Sequence, residues 1–412
     1  MKRRFFVHEA ALSSSKGRVN NKSDFKWYDT SVPCRTACPA DTDIPSYLEA
    51  ISHGDYRKAY EINLEDNVFP EILGRVCSRP CEDACRHSKD DNGDSVAICF
   101  SKRAAGDFTK PNIKLPKYSK NTNKKVAIIG SGVAGLTSAR ELFRYGHKVD
   151  IFEKHKTPGG MLNQGIPIFR LPRKIIEREI KQILSLGIKL HLNKNITTFK
   201  QLNALASDYD AVVLAMGTLQ ANKINKQFSM CEQVEDGLDF LLRTNEYNSK
   251  TIGDNIVIIG GGYTSMDCAR TALRLGAKSV RTFYRRTRGD LVILPGELEE
   301  LKKEHGVMKF NARPNKIIMK RGKLSGLQLI KTQITNKGRL EDIRGSEFNI
   351  KTDHIILAIG QSQQLDILSG IKHSRNELSK SQKSCNITKN IFSAGDFALG
   401  ATTLIDAIAH AK

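Results

Sequence analysis

The chain has 412 residues, too many for one ordinary core, so two or three domains are expected. With 40% hydrophobic and 26% charged residues it has the composition of a water-soluble globular protein, and no apolar run is long enough to cross a bilayer. The formal net charge of +21 raises nucleic-acid binding. Its lysines, however, are scattered through segments such as "KNTNKK", "LNKNIT" and "ANKINK", and neither an RNA-recognition sequence nor a zinc-finger spacing occurs. A solvated basic surface from a lysine-biased composition is the reading taken, with docking of an acidic protein partner as the alternative; neither nucleic acid nor membrane is expected as a partner.

The start, "MKRRFFVHEAALSSSKGRVNNKS", has a basic head but no apolar segment of signal-peptide length. A transit peptide stays open, and the cytoplasm is the expected location. Residues 1–118 carry little β character. "IPSYLEAISHGDYRKAYEINLED" spaces its apolar residues as a helix does, with Asp43 or Ser46 available as N-cap. "NVFPEILGRVCSRPCEDACRH" predicts helix and turn broken by Pro70, Gly74 and Pro80. Six of the nine cysteines fall here: Cys34, Cys38, Cys77, Cys81, Cys85 and Cys99. On a single helix the interval of four between Cys77, Cys81 and Cys85 would stack them along one face. Thiols clustered this way in an intracellular chain point to metal rather than disulfides, and thiolates in groups of four hold iron–sulfur clusters. Cys231, Cys268 and Cys385 are isolated, Cys268 reading as core packing. "KPNIKLPKYSKNTNKK" then reads as a linker.

Next comes "KKVAIIGSGVAGLTSARELFRYGHKVDIFEK", a buried strand, a glycine turn, a helix and a second strand; the pattern returns as "NIVIIGGGYTSMDCARTALRLGAKSVRTFYRR". Two such βαβ units predict two dinucleotide-binding domains. In the first, Gly130, Gly132 and Gly135 form G-x-G-x-x-G, serving respectively a tight turn, close approach to a pyrophosphate, and close helix–strand packing. Glu153 ends the second strand, where a carboxylate accepts ribose hydroxyls and repels a 2′-phosphate. Gly159, Gly160 and Met161 follow at once and suit a backbone running past a flavin. In "NIFSAGDFALGATTLIDAIAHAK" a strand, the Gly395–Asp396 turn and a helix opening with Thr402 and Thr403 fit the ribityl and isoalloxazine parts of FAD. This first site is therefore expected to take FAD.

In the second unit Gly260, Gly261, Gly262, Thr264 and Ser265 form the turn, and Arg285, Arg286 and Arg288 stand where an acidic residue would select NAD. Guanidinium groups match a 2′-phosphate, so NADPH is expected. "DAVVLAMGT" and "DHIILAIGQ" are matching strands, ending near Gly217 and Gly360, where the chain would cross between the domains. The expected fold class is α/β: two Rossmann-like domains, the NADPH domain inserted in the FAD domain, behind an all-α iron–sulfur domain. The expected boundaries are 1–118 for the iron–sulfur domain, 119–218 and 358–412 for the FAD domain, and 219–357 for the NADPH domain. The final helix, ending in "AIAHAK", reads as cut short.

"CRTACPADTDIP", "GRVCSRPCEDAC", "VAIIGSGVAGL", "GGMLNQGIP", "GGGYTSMDCARTALRLGA", "YRR" and "FSAGD" together resemble the small (β) subunit of NADPH-dependent glutamate synthase. They also resemble the amino-terminal half of dihydropyrimidine dehydrogenase and the large subunits of NADP–ferredoxin transhydrogenases. The resemblance implies two [4Fe–4S] clusters in the helical domain and electron passage between NADPH, FAD and the clusters. This chain lacks the two cysteines that relatives carry before Cys34; the stretch reads "DFKWYDTSVP". By resemblance, Cys38, Cys77 and Cys81 belong to one cluster, with Cys99 as candidate fourth ligand, so one complete [4Fe–4S] cluster is expected. Cys34 and Cys85 are what remains of the other, as leftover thiols, a degenerate site or substitute ligands.

The expected activity is hydride transfer from NADPH to flavin and onward one-electron transfer through the cluster to a partner, with a glutamate synthase large subunit first and a ferredoxin-like protein second. No catalytic side chain is singled out, and Glu297 in "LPGELEEL" is too weak a candidate to name as one. The alternatives are a stand-alone NAD(P)H–ferredoxin oxidoreductase, a disulfide reductase resembling thioredoxin reductase, and a non-catalytic nucleotide-binding scaffold. The disulfide reductase needs a C-x-x-C, which this sequence does not contain.

Overall fold

The computed structural model describes residues 31–89, 92–109, 117–246, 253–294, 296–371 and 385–412; the basic N-terminal stretch and the 110–116 part of the linker lie outside them. The first region is helical, with main helices Ile44–Ser52, Tyr56–Asn67, Pro70–Val76 and Ile98–Asp107. Asp43, not Ser46, caps the first, accepting from the Ser46 amide at 3.4 Å and the Ser46 hydroxyl at 2.8 Å. Pro70 opens its helix at a position where the missing N–H is not needed.

Gly74 does not break that helix. It sits where helix Ile98–Asp107 crosses, and a Cβ there would lie 2.7 Å from the Arg103 backbone. Gly106 on the crossing helix is equally tight against Glu71, so the two helices approach through a pair of glycines. Pro80 does interrupt the chain: Arg79 is left-handed (φ 63°) and a new turn, Pro80–Asp83, begins. Cys77 therefore caps one helix in extended conformation, Cys81 lies in the next turn and Cys85 beyond it, so the three share no helix face.

Two parallel sheets follow. The first has the order Ile391–Ser393, Ala211–Leu214, Lys125–Ile129, Lys148–Phe152, Lys189–His191. The second has the order Val234–Asp236, His354–Leu357, Asn255–Ile259, Ser279–Phe283, Val307–Lys309. After its first residue, strand Lys125–Ile129 is buried throughout, as a parallel strand covered on both faces must be. The last strand of the chain returns to the first sheet beside Ala211–Leu214. At the two crossings, Gln220–Ala221 and Gln361–Ser362 pair antiparallel and tie the outward and return strands together.

The sequence reading did not foresee an antiparallel layer of Ala312–Lys320, Lys323–Ile334, Leu340–Asp342 and Phe348–Lys351. Its first hairpin turns on Arg321 and Gly322, both at positive φ (51° and 75°), which suits the twist of a two-residue hairpin loop. The helical region is joined to the first sheet by a shared hydrophobic core. Glu179, buried on helix Arg173–Leu184, also accepts the amides of Glu71 and Ile72 at 2.9 and 3.0 Å.

Candidate functional site

The two glycine turns are built alike. A Cβ on Gly130 would lie 2.4 Å from the Ala215 carbonyl oxygen; one on Gly260 would lie 2.3 Å from that of Ala358. Each glycine thus lets its turn pass under the end of the neighbouring strand. A Cβ on Gly135 would come within 1.9 Å of the Gly130 oxygen, so the helix Val133–Arg144 packs on the turn only because that atom is missing. Gly132, in contrast, has nothing within 4 Å of its Cβ position, and Gly262 only the Val292 oxygen at 3.9 Å. Both open positions face one cavity of about 1110 Å³ that is lined from both domains. It exceeds the roughly 300–1,000 Å³ usual for a single small ligand.

On the first-sheet side, Gly130, Gly132, Glu153, Gly159, Gly160, Met161, Gly217, Asp396, Thr402 and Thr403 all line the cavity. Glu153 is held by three donors: the Ser131 amide (3.0 Å) and hydroxyl (2.6 Å) on one oxygen, the His155 amide (2.9 Å) on the other. A carboxylate accepts about four hydrogen bonds, which leaves about one site for a ribose hydroxyl. Gly160 (φ 52°) brings its backbone against Gly132, where a Cβ would lie 3.0 Å from the Gly132 Cα. Gly395 (φ 60°) lets the turn before Asp396 close on helix Val133–Arg144, since a Cβ there would strike Ala134 at 2.5 Å. Asp396 accepts from the Thr402 amide (3.2 Å) and hydroxyl (2.5 Å), and burial pushes its carboxyl up to about 6. Thr403 caps helix Leu404–Ala411 in a capping box with Asp406, presenting that helix's N-terminus to the cavity.

On the second-sheet side, Gly260, Gly261, Gly262, Thr264, Arg285 and Gly360 line the cavity. Ser265 does not: its buried hydroxyl donates to the Gly262 carbonyl at 2.7 Å and braces the turn from behind. The three arginines also part company. Arg285 faces the cavity, whereas Arg286 leans on Asp290 at 3.9 Å and Arg288 pairs with Glu299 at 3.2 Å, both off the wall. Gly261 is required by the Tyr284 ring, which a Cβ would meet at 2.3 Å.

A charged network that sequence reasoning missed spans the two halves. Arg170, on the cavity wall, donates to both oxygens of Asp267 (2.7 and 2.8 Å) and pairs with Glu297 at 2.7 Å. Burial pushes Asp267 up to about 6 against the opposing pull of Arg170, and burial likewise raises Glu297. These residues lie about 97 and 127 positions from Arg170 in the chain, so no local spacing announces them.

The cysteines divide into two groups. Cys77, Cys81, Cys99 and Cys38 lie close enough to the buried Lys102 for all four thiols to act on it electrostatically, and the last three act likewise on the buried Tyr47. All four are buried. Cys34 neighbours Cys85 and, more weakly, Cys38. Among the described residues no three His, Cys, Asp or Glu side chains converge closely enough to share one metal ion. Four buried thiols spread around a buried ammonium suit a multi-iron body wider than a single ion. Val76 and Ser78, on either side of Cys77, line the large cavity.

The pattern of the pyridine nucleotide–disulphide oxidoreductase family matches residues 124–411, and that of dihydropyrimidine dehydrogenase domain II, a 4Fe–4S cluster domain, matches residues 26–112. The small chain of glutamate synthase [NADPH] from Escherichia coli (strain K12) is 34% identical over 97% of this chain and 90% of its own. The chain belongs to this family. It is also 31% identical, over 92% of its length, to the β subunit of NADP(+)-dependent formate dehydrogenase from Moorella thermoacetica, of which it spans only 58%. Among solved structures, FprA from Mycobacterium tuberculosis shares the fold, with a TM-score of 0.60 at 18% identity over 70% of this chain and 83% of FprA. This family member is an NADPH-dependent flavoprotein oxidoreductase whose cofactors are FAD, NADPH and a [4Fe–4S] cluster. Among the described residues no helix is long and apolar enough to cross a membrane.

Proposed function

We propose that the chain passes electrons from NADPH through FAD and one [4Fe–4S] cluster to a protein partner, with a glutamate synthase large subunit as that partner. The reading assigns FAD to Gly130, Gly132, Gly135, Glu153, Gly159, Gly160, Met161, Asp396, Thr402 and Thr403. It assigns NADPH to Gly260, Gly261, Gly262, Thr264 and Arg285, and the cluster to Cys38, Cys77, Cys81 and Cys99. The corresponding domains are 1–118, 119–218 with 358–412, and 219–357. The observation that carries it is the common cavity: both glycine turns open into it, and the residues flanking Cys77 form part of its wall.

FAD, when bound, supplies the change from two-electron to one-electron chemistry, and the cluster carries single electrons onward. The protein's own contribution is placement and electrostatics. The capped N-terminus of helix Leu404–Ala411 favours negative charge at the cavity wall. Arg285 offers a guanidinium to a 2′-phosphate, and the Arg170–Asp267–Glu297 network holds the two halves in one arrangement. No side chain is required as general acid or base. Disulfide reduction is disfavoured, because among the described residues no cysteine lines the cavity.

The test is NADPH oxidation by the cofactor-loaded chain with a viologen dye, alongside iron analysis of wild type and Cys77→Ala. Four irons per chain and dye reduction are expected in the wild type, with the iron lost and the flavin kept in the variant. Full iron retention in Cys77→Ala contradicts the ligand assignment. Co-purification from the native host identifies the partner: a glutamate synthase large subunit supports the reading, and a ferredoxin-like protein overturns that part of it.

A further inference from the structure

Lys102 is 3% exposed, yet among the described residues it forms no ion pair with a carboxylate. Its one side-chain hydrogen bond among the described residues, at 3.3 Å, goes to Oδ1 of Asn67. An ammonium has only protons to give, so this contact fixes the amide orientation: the oxygen faces Lys102 and the NH2 faces away. That NH2 donates to the Thr42 hydroxyl oxygen at 2.5 Å. Thr42 in turn lies 3.3 Å from the sulfur of Cys38. With its oxygen already accepting from Asn67, Thr42 has its own proton free for Cys38. Asn67 and Thr42 are fully buried, so no solvent reverses the chain. All three links donate in one direction, and the last acceptor is a sulfur.

A buried cation without a counter-ion is costly. The groups that act most strongly on Lys102 electrostatically are Cys77, Cys99, Cys38 and Cys81, the four proposed to hold the cluster; the buried Glu179 also feels its charge, from beyond ion-pair distance. A [4Fe–4S] cluster with four thiolates is a net anion and gains one further negative charge on reduction. We propose that Lys102 is the built-in counter-charge of this cluster and, through Asn67 and Thr42, aims a hydrogen bond at the Cys38 sulfur, so that both effects favour the reduced cluster and raise its reduction potential. The proposal rests on the ligand assignment made above. Net charge and hydrogen bonds to sulfur are established determinants of cluster potential, and a charge acts strongly at short range in a dry interior.

The experiment is a redox titration of the cluster, followed by electron paramagnetic resonance, in the cofactor-loaded chain and in Lys102→Met, Asn67→Asp and Thr42→Val, with iron counted in each. Lys102→Met is expected to keep four irons while its reduced-to-oxidised ratio at fixed ambient potential falls at least tenfold, a downward shift of about 59 mV for a one-electron couple. Asn67→Asp gives Lys102 a carboxylate and turns the Thr42 proton away, so it shifts in the same direction with the lysine still present. Thr42→Val removes only the hydrogen bond and shifts less, about twofold to threefold. An unchanged potential in Lys102→Met with full iron overturns the proposal. If Lys102→Met does not fold, an unchanged potential in both other variants does the same. Failure of the underlying ligand assignment looks different: Cys38→Ala and Cys77→Ala would then keep full iron, whatever the lysine variants do.

Discussion

Arg285→Ala separates the three arginines that end the strand Ser279–Phe283 and its following turn. Arg285 lines the cavity and forms no ion pair among the described residues, whereas Arg288 is engaged with Glu299 at 3.2 Å. A hydrogen bond to a charged group contributes about 1.5–3 kcal/mol. Arg285 is exposed, so solvent screening puts its share at the lower end. About 1.4 kcal/mol corresponds to a tenfold change. Arg285→Ala is therefore expected to raise KM for NADPH about tenfold, leave kcat nearly intact and leave NADH kinetics unchanged. Arg288→Ala is expected to change either by less than about twofold, as surface pairs contribute little. The assay is steady-state oxidation of NADPH and NADH with ferricyanide as acceptor. Equal losses for the two nucleotides in Arg285→Ala, or a larger NADPH defect in Arg288→Ala, refute the reasoning.

The glycines of the first turn give a paired test. Gly135→Ala forces a methyl against the Gly130 carbonyl and should destabilise even the flavin-free chain by the ~1–3 kcal/mol typical of overpacking, read as a lower melting temperature. Gly132→Ala adds the same methyl in open space at an ordinary φ of −68°, so the flavin-free chain should keep its stability while flavin content falls. Asp267 adds a pH dependence. Its folded value, about 6, lies above the ordinary 3.8, so the folded state holds its proton more tightly than the unfolded one. The associated stability is full below about 3.8 and is lost as pH rises through about 6. Denaturant titrations should therefore show the stability of wild type relative to Asp267→Asn falling between about pH 4 and pH 7, by up to ~3 kcal/mol; a flat difference contradicts it.

Steric necessity made much of this protein legible in its sequence. Gly130 and Gly260 announce themselves because any side chain would enter a neighbouring carbonyl, and a fold-level requirement of that kind leaves a local mark. The same logic misled at Gly74, where the glycine serves a helix crossing rather than a break, because a sequence does not say what lies across from a small residue. Ser265 and Arg288 matched the expected positions in the motif, but their directions were set by Gly262 and Glu299, which spacing alone does not encode. Lys102, in "CFSKRAA", reads like any solvated lysine in a chain rich in them; only burial against the cysteines distinguishes it. The bridge from Arg170 to Asp267 and Glu297 depends on how two domains meet, and no window along the chain contains it.

An anaerobic titration of the cofactor-loaded chain with NADPH, followed by flavin absorbance, tests the central claim most directly. The account predicts that about one equivalent of NADPH bleaches the flavin, while NADH at the same concentration does so far less. A flavin that stays oxidised in the presence of excess NADPH, or a purified chain that holds no flavin when FAD is supplied, contradicts it.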